Sequence, residues 1–377
     1  MSVSYGVLST YPPTPCGLAT FSRSLVDALG SPEDVVGVVQ LVDGPEEVTH
    51  PEVVHQWVRG SAEGAAGAAA VLDRHDVVVV QHEYGIFGGP DGADVLEVAR
   101  RLSAPVVLVV HTVLVSPSAR QLHIVRELAA RSAAVVTMTR TARDRLVAHY
   151  GLDVEAVTVV PHGAAPGTAV ASTHRVRPAQ QRPVVLTWGL LGAGKGIEWG
   201  VEALDQLRDL SPRYRVVGRT HPKVLEHEGE RYRDALVERA RRTGVEDLLE
   251  FDARYLPPDD LRREVDAADV VLLPYDSTEQ VTSGVLVEAL AAGKPVVSTR
   301  FPHAVEVLGS GAGLLVGRQA PGAIAQGLRR VLTEPGLAEA MSAEARRIAP
   351  QLLWPAVAQQ YRDLAGQVLS ARVLAGV

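Results

Sequence analysis

The stretch Val270-Val-Leu-Leu-Pro-Tyr275-Asp-Ser-Thr-Glu-Gln280-Val-Thr-Ser-Gly284-Val-Leu-Val-Glu288-Ala-Leu-Ala-Ala-Gly293-Lys-Pro-Val-Val297 decides the fold. Val270 to Pro274 is an apolar run of strand length and reads as a buried strand. A polar loop runs from Asp276 to Gly284. Leu286, Val287, Leu290 and Ala291 then recur at helical spacing. Gly293-Lys-Pro295 stops that helix, and Val296-Val297 opens the next strand. A strand's carboxyl end therefore feeds a loop and then a helix amino end, where open parallel sheets bind their ligands. Free N–H groups and the helix dipole favour an anion there. Thr282 and Ser283 add hydroxyls, and Gly284 adds backbone that nothing shields. A diphosphate suits such a place. The same residues also suit an ordinary capped strand–loop–helix unit, since a cap needs only one hydroxyl.

The totals bound the rest. A chain of 377 residues is long enough for two domains. Hydrophobic content of 46% and charged content of 21% describe a globular protein. The net charge of −7 gives no bulk attraction for nucleic acid or anionic lipid. The arginines at 231, 233, 239, 241 and 242 alternate with Asp234, Glu238 and apolar residues, as on a solvated helix face. The single cysteine, Cys16, excludes an internal disulfide and a cysteine metal site, which fits a reducing cytoplasm. The first residues lack the basic segment and apolar core of a signal peptide. No apolar run approaches the ~20 residues of a spanning helix; peripheral membrane contact stays open. Only Lys195, Lys223 and Lys294 are lysines, so each merits attention.

Outward from the opening stretch, strands and helices alternate. Val3 to Ser9 is a first strand. A Pro-rich turn holding Gly17 follows and precedes a helix from Ser22 to Leu29. Val35 to Val42 and Val53 to Val58 are strands, and Ala62 to Leu72 a helix. Val77 to Val80 is continuous and apolar, typical of a parallel sheet covered on both faces. It enters Gln81-His82-Glu83-Tyr84 and a loop with four glycines up to Gly92. Polar groups at a strand's carboxyl end suggest acceptor binding; a purely structural loop fits equally. A helix over 95–102 precedes the strand Pro105 to Val110. That strand ends at His111, placed to hydrogen-bond a sugar hydroxyl or stabilise charge. Helices over 118–131 and 141–150 flank the strand Ala134 to Met138, and Val157 to Val160 is the last strand of a Rossmann-like half.

Periodicity then fails, which predicts a linker over 169–182. A second half begins with the strand Pro183 to Trp188, the glycine loop Gly189 to Gly196 and a helix over 197–210. Further strands are expected at 214–218, 248–251 and 313–316, with helices over 228–243 and 259–267. Gly189-x4-Gly194-Lys195 matches the start of a P-loop, but Gly196 stands where Ser or Thr should hold Mg²⁺. Glycine N–H groups and one lysine still make an anion site.

Taken together, these features resemble the retaining, nucleotide-sugar-dependent glycosyltransferases of family 4. The resemblance covers nearly the whole chain. It rests on the turn at Gly17, the strand ending in His111, Val159-Val-Pro-His-Gly163, Gly189 to Gly196, Ala267 to Pro274 and the opening stretch. It implies an α/β, GT-B fold, two Rossmann-like domains facing across a cleft. Residues 1–168 would be the acceptor domain and 183–355 the donor domain, with a final helix over 356–377 crossing back. Trp354 and Tyr361 fit that last element.

The resemblance also implies roles. The family's Glu-x7-Glu motif maps to Gln280 and Glu288, with Glu279 one place off. Glu288 would hold the ribose hydroxyls, and Gln280 the donor sugar without a charge. The phosphate-binding Arg and Lys map to Leu190 and Lys195, so the arginine is lost; Arg219 or Arg254 would substitute. Gly17, Gly189, Tyr255, Thr282, Ser283, Gly284 and Val285 complete the expected donor contacts, and the N–H groups of Ser283 and Gly284 would join Lys195 in stabilising the leaving diphosphate. His82, Glu83 and Tyr84 are the acceptor contacts. His111, Lys195 and Gln280 are the expected catalytic groups. The implied reaction moves a hexosyl group from a nucleotide sugar, GDP-mannose first and UDP- or ADP-sugars open, to an acceptor hydroxyl by front-face attack. The nucleotide sugar is a cosubstrate; no further cofactor, metal or nucleic-acid partner is implied, and no Asp-x-Asp site is present. A GT-B phosphorylase or epimerase, a nucleotide-sugar-binding pseudoenzyme and a P-loop protein are the other readings.

Overall fold

The computed structural model describes residues 2–31, 34–167 and 181–374. The chain folds as two compact units. The first comprises the chain up to Gly163 and from Trp354 onward; the second is Ala164–Leu353. Residues 168–180, most of the expected linker over 169–182, lie outside the described residues.

The first unit holds β1 (Ser4–Ser9), α1 (Gly17–Leu29), β2 (Val35–Val42), β3 (Val53–Val58), α2 (Ala62–Leu72) and β4 (Val77–His82). It continues with α3 (Val95–Ala99), β5 (Val106–Val110), α4 (Ala119–Ala130), β6 (Ala134–Thr137), α5 (Arg140–Tyr150) and β7 (Val157–Val159). Its seven strands are parallel in the order β3-β2-β1-β4-β5-β6-β7. The valine runs of β4 and β5 are buried along their whole length, because helices cover both faces. The order reverses between β1 and β4, so the loops leaving these strands part there.

The second unit holds β8 (Val184–Trp188), α6 (Ile197–Ala203), β9 (Arg213–Val217), α7 (Pro222–Glu228), α8 (Arg231–Thr243), β10 (Leu249–Asp252) and α9 (Pro258–Ala267). Then come β11 (Val270–Leu273), α10 (Gly284–Ala291), β12 (Val296–Thr299), α11 (Pro302–Leu308), β13 (Gly313–Val316), α12 (Pro321–Thr333) and α13 (Leu337–Ile348). Six parallel strands lie in the order β10-β9-β8-β11-β12-β13. The reversal falls between β8 and β11, and each face of this sheet has its own apolar core. On β9, Arg213 and Arg215 pair with Glu250 at 2.8 and 3.0 Å, so this side of the sheet is polar near its edge. The arginines of α8 pair with acids, Arg233 with Glu230 and Arg239 with Glu202, as a solvated face requires.

The last helix, α14 (Trp354–Leu374), belongs to the first unit and packs on α1. Its first side chain, Trp354, lies against Gly163, where an added Cβ would stand 2.3 Å from the indole. Phe21 meets Trp354 edge-on at 5.0 Å.

Several boundaries differ from expectation, each for a local reason. The helix expected from Ser22 starts at Gly17, because the Cys16 sulfur caps it by accepting from the Ala19 N–H at 3.3 Å. The helix expected over 228–243 is α8, which starts at Arg231; α7, which ends before Gly229 with φ 62°, was not expected. α7 opens on Pro222, a signal the alternation did not use. The helix expected over 197–210 ends at Ala203 and continues as a 3₁₀ turn to Leu207. α3 is shorter than 95–102, and α11 was not expected. Lys294 is structural: its ammonium caps α9 through the Asp266 and Ala268 carbonyls at 2.7 and 3.0 Å.

Gly196 ties two strand exits together. It has φ 63°, and a Cβ there would stand 1.9 Å from the Pro274 carbonyl oxygen. Backbone cannot yield as a side-chain tip can, so Gly196→Ala should cost the second unit about 3 kcal/mol. The expected result is faster hydrogen exchange of the β8 and β11 amides. Unchanged protection would show that the approach is not needed.

Candidate functional site

In the second unit the expected donor residues gather at the carboxyl ends of β8, β9 and β11. β8 ends at Trp188, and the chain turns at Gly189, with φ 118°. Its backbone runs so close to Gly218 that a Cβ there would lie 2.0 Å from the Gly189 oxygen. Across the reversal, Val285 lies 3.6 Å from where a Gly189 Cβ would point. The Asp276 N–H donates to the Gly194 carbonyl at 3.0 Å, which fixes the glycine loop against the loop after β11. Lys195 then stands over the Tyr275 ring, 4.5 Å from its centroid. Phe301 supports that ring at 5.0 Å.

Glu288, on α10, reaches back toward β8. The Trp188 indole N–H donates to its Oε2 at 3.1 Å. Burial pushes the Glu288 carboxyl above its usual range, and the indole bond only partly offsets this. Gln280 donates its amide to the Thr282 carbonyl at 3.2 Å. The Thr282 hydroxyl and the Tyr275 hydroxyl are buried without partners. Arg219 leaves β9 with its guanidinium 5.9 Å from the Tyr255 ring centroid and its Nε buried and unpartnered. The Glu279 N–H donates to the Ser277 hydroxyl at 3.2 Å.

Two expectations are corrected here. The Ser283 N–H is not open to an anion: it donates to His303 Nδ1 at 2.8 Å, while the Ser283 hydroxyl caps α10 by accepting from Leu286 N–H at 3.3 Å. The open donors of this helix end are therefore those of Gly284 and Val285. Arg254 does not join the cluster. It is exposed and forks onto Asp252 at 2.9 and 2.5 Å, which holds that carboxyl down at about 2.

In the first unit the expected residues also meet at strand ends. Gly17 opens α1 with nothing within 4 Å of an added Cβ, so that side stays open. His111 Nε2–H donates to Oε1 of the Gln81 side-chain amide at 2.6 Å, and Phe21 lies edge-on to His111 and His162 at 4.8 and 5.0 Å. Burial first, then the neighbouring His162 and His82, pushes the His111 imidazole down to about 3. Burial holds His162 near 4 against its bond to the Gly163 carbonyl. Glu83 accepts from the Thr112 hydroxyl and, at 3.4 Å, from the Gly85 N–H. The Tyr84 hydroxyl lies 3.4 Å from that of Tyr150. His82 is a correction: it is fully buried, with Tyr84 edge-on at 4.9 Å, so it is no surface contact for an acceptor. Both its ring nitrogens lack partners, and burial holds it near 4.

Reading the sequence missed Trp188, Gln81 and His303 as parts of these sites. Trp188 and Gln81 sit at strand carboxyl ends, where an indole or amide is a signal. His303 has none, since it lies 20 residues from Ser283 and only folding joins them.

Comparison with known proteins agrees with this architecture. Residues 182–334 match the family described as glycosyl transferases group 1, and residues 22–167 match glycosyltransferase family 4. The chain belongs to glycosyltransferase family 4. A D-inositol 3-phosphate glycosyltransferase of Rhodococcus jostii is 31% identical over 251 residues, 63% of this chain and 53% of that protein. The chain thus spans about half the length of that relative. Its counterpart in Frankia alni is 28% identical over 90% of this chain and 87% of that protein. Among solved structures, Anabaena HepE in complex with UDP and glucose superposes with TM-score 0.75 at 18% identity, covering 96% of this chain and 99% of that one. Sucrose-phosphate synthase from Thermosynechococcus elongatus gives 0.77 at 19%, covering 98% and 100%. These likenesses establish the GT-B fold. Among the described residues no helix is long and apolar enough to cross a membrane.

Glu288→Gln keeps a group that can accept from Trp188 and removes the charge. A raised carboxyl favours folding when protonated; that contribution is full below the ordinary value of 4.5 and lost as pH rises through the folded value. Without ligand, the variant should therefore melt higher than wild type at neutral pH, with the gap closing as pH falls toward 4.5. A gap independent of pH would show that Glu288 is not desolvated.

Proposed function

We propose that this chain is a retaining hexosyltransferase that takes a hexosyl group from a nucleotide sugar held by the second unit and gives it to an acceptor hydroxyl. The observation that supports it most is Glu288. A desolvated carboxylate, fixed by an indole beside the Gly189 turn, is costly for folding and suited to accepting the two ribose hydroxyls. Lys195 would stabilise the leaving diphosphate as its charge grows, with the Gly284 and Val285 N–H groups as fixed donors. Arg219, which has no carboxylate partner among the described residues, would supply the second positive charge in place of a metal ion. Gln280 would contact the donor sugar without adding charge.

His111 would contact a sugar hydroxyl. Its neutral imidazole, with Nε2–H committed to Gln81, leaves Nδ1 as an acceptor. Front-face attack needs no enzymic nucleophile, so retention follows from holding donor and acceptor on one side. GDP-mannose is the first donor to test. UDP-glucose is the second, because HepE has been solved with it.

A thermal-shift panel of UDP, GDP, ADP and their sugar conjugates tests the reading. The right ligand at 100 times its dissociation constant should add ~2.7 kcal/mol to the native state. Glu288→Ala should abolish the shift. Lys195→Ala should lower kcat by about 10²–10³ with a smaller effect on KM, and NMR of the product should show the donor's anomeric configuration kept. No shift with any nucleotide would sink the proposal.

A further inference from the structure

In the first unit, the sheet face under α1 and α14 is apolar until the strands end. Val77 and Val79 on β4 and Val107 and Val109 on β5 alternate onto it and join its core. Gln81 stands opposite Val109, so the next side chains on this face are Gln81 and, one step past the end of β5, His111. A valine at 81 would continue the pattern. An amide breaks it, and such local breaks collect at functional or strained sites. Gln81 is completely buried. Its Oε1 accepts from His111 Nε2–H at 2.6 Å, while its own Nε2 is buried with no partner. A donor buried unpaired opposes folding, and an apolar side chain of similar volume would remove that cost. Stability therefore does not account for Gln81; its bond to His111 does.

The other neighbours of His111 cannot choose its hydrogen positions. Its backbone N–H is spent on the His82 carbonyl at 3.1 Å. α1 offers the edge of Phe21 at 4.8 Å, and α14 offers Trp354, which meets Phe21 and His162. The titratable groups that act on the ring are His162, after β7, and His82, on β4; burial keeps both neutral, as it keeps His111. A neutral imidazole has two tautomers, and the bond made by one nitrogen decides what the other offers. His111 is half-buried, and its Nδ1 has no partner among the described residues.

We propose that Gln81 is a positioning residue: its amide oxygen selects the Nε2–H tautomer of His111 and turns the ring so that the bare Nδ1 accepts from a hydroxyl of the hexosyl group. This rests on the transferase reading, in which His111 contacts the sugar. Glycosyl transfer develops positive charge on the sugar ring. A lone pair aimed at the sugar favours that charge. The other tautomer would aim an N–H at it instead, and an imidazolium would add a like charge. Gln81 thus works through His111 and need not touch the substrate.

The tautomer is read first, without ligand, by ¹⁵N NMR of histidine-labelled protein, with His111 assigned from the spectrum of His111→Asn. Wild type should carry hydrogen on Nε2 and none on Nδ1. In Gln81→Met, which keeps the volume and removes the acceptor, the two forms should mix. With the donor identified by thermal shift, that variant should bind nucleotide as wild type does while kcat falls about tenfold or more. Gln81→Glu keeps the bond but draws a proton onto the ring. The neutral ring is the active form, so kcat of this variant should fall as pH drops through the raised His111 value. Wild type, whose His111 lies at about 3, should show no such loss down to about pH 5. A purely structural Gln81 would change stability and not the shape of that profile. Hydrogen on Nδ1 in wild type, an unchanged kcat in Gln81→Met, or a Gln81→Glu profile identical to wild type overturns the proposal. Failure to bind any nucleotide overturns the transferase reading instead, and the tautomer measurement still decides what Gln81 does to His111.

Discussion

A parallel sheet forces each crossover to return over its face, so every strand leaves by the same edge. That single constraint places both candidate sites. Where the strand order reverses, between β1 and β4 and again between β8 and β11, neighbouring loops run apart and leave room. The Gly17 turn and the Gln81 loop leave the first reversal; the Gly189 turn and the Tyr275 loop leave the second. The close approaches at Gly196 and Gly218 are the local cost of bringing two exits together.

Around this frame the chemistry is unevenly distributed. In the second unit a desolvated carboxylate and two cations on aromatic rings sit within one set of loops. Such an arrangement opposes stability and is a mark of binding. In the first unit three imidazoles are kept neutral by burial, and the Glu83 carboxylate is tied to a hydroxyl. His303 shows how the two levels connect. By taking the Ser283 N–H it fixes the start of α10, and so aims the Gly284 and Val285 N–H groups that follow.

Strand positions were legible because valine runs of strand length, separated by helical periods, have few other foldings. The lengths of helices were less so. α1 begins five residues earlier than expected because a cysteine sulfur serves as its cap, a residue type rarely read as one. α7, seven residues between Pro222 and Glu228, is too short to show a helical period of its own. Lys195 stands out in the sequence beside glycines at a strand–helix junction, whereas Glu288 is singled out only by its match to the second position of the family's Glu-x7-Glu motif.

Arg254 and His82 show the limit. Both sit at strand ends; His82 is expected as a contact on that ground, and Arg254 as a substitute for the arginine lost at Leu190. Only the fold shows that Arg254 is spent on Asp252 and that His82 is sealed under Tyr84. The sequence by itself determined the order of elements, the two parallel sheets and the loops that hold polar groups, because these follow from local periodicity and from the rule for crossovers. Tertiary structure decided which of those groups are free. That depends on partners tens of residues away, such as Trp188 for Glu288 and His303 for Ser283, and no local pattern encodes such meetings.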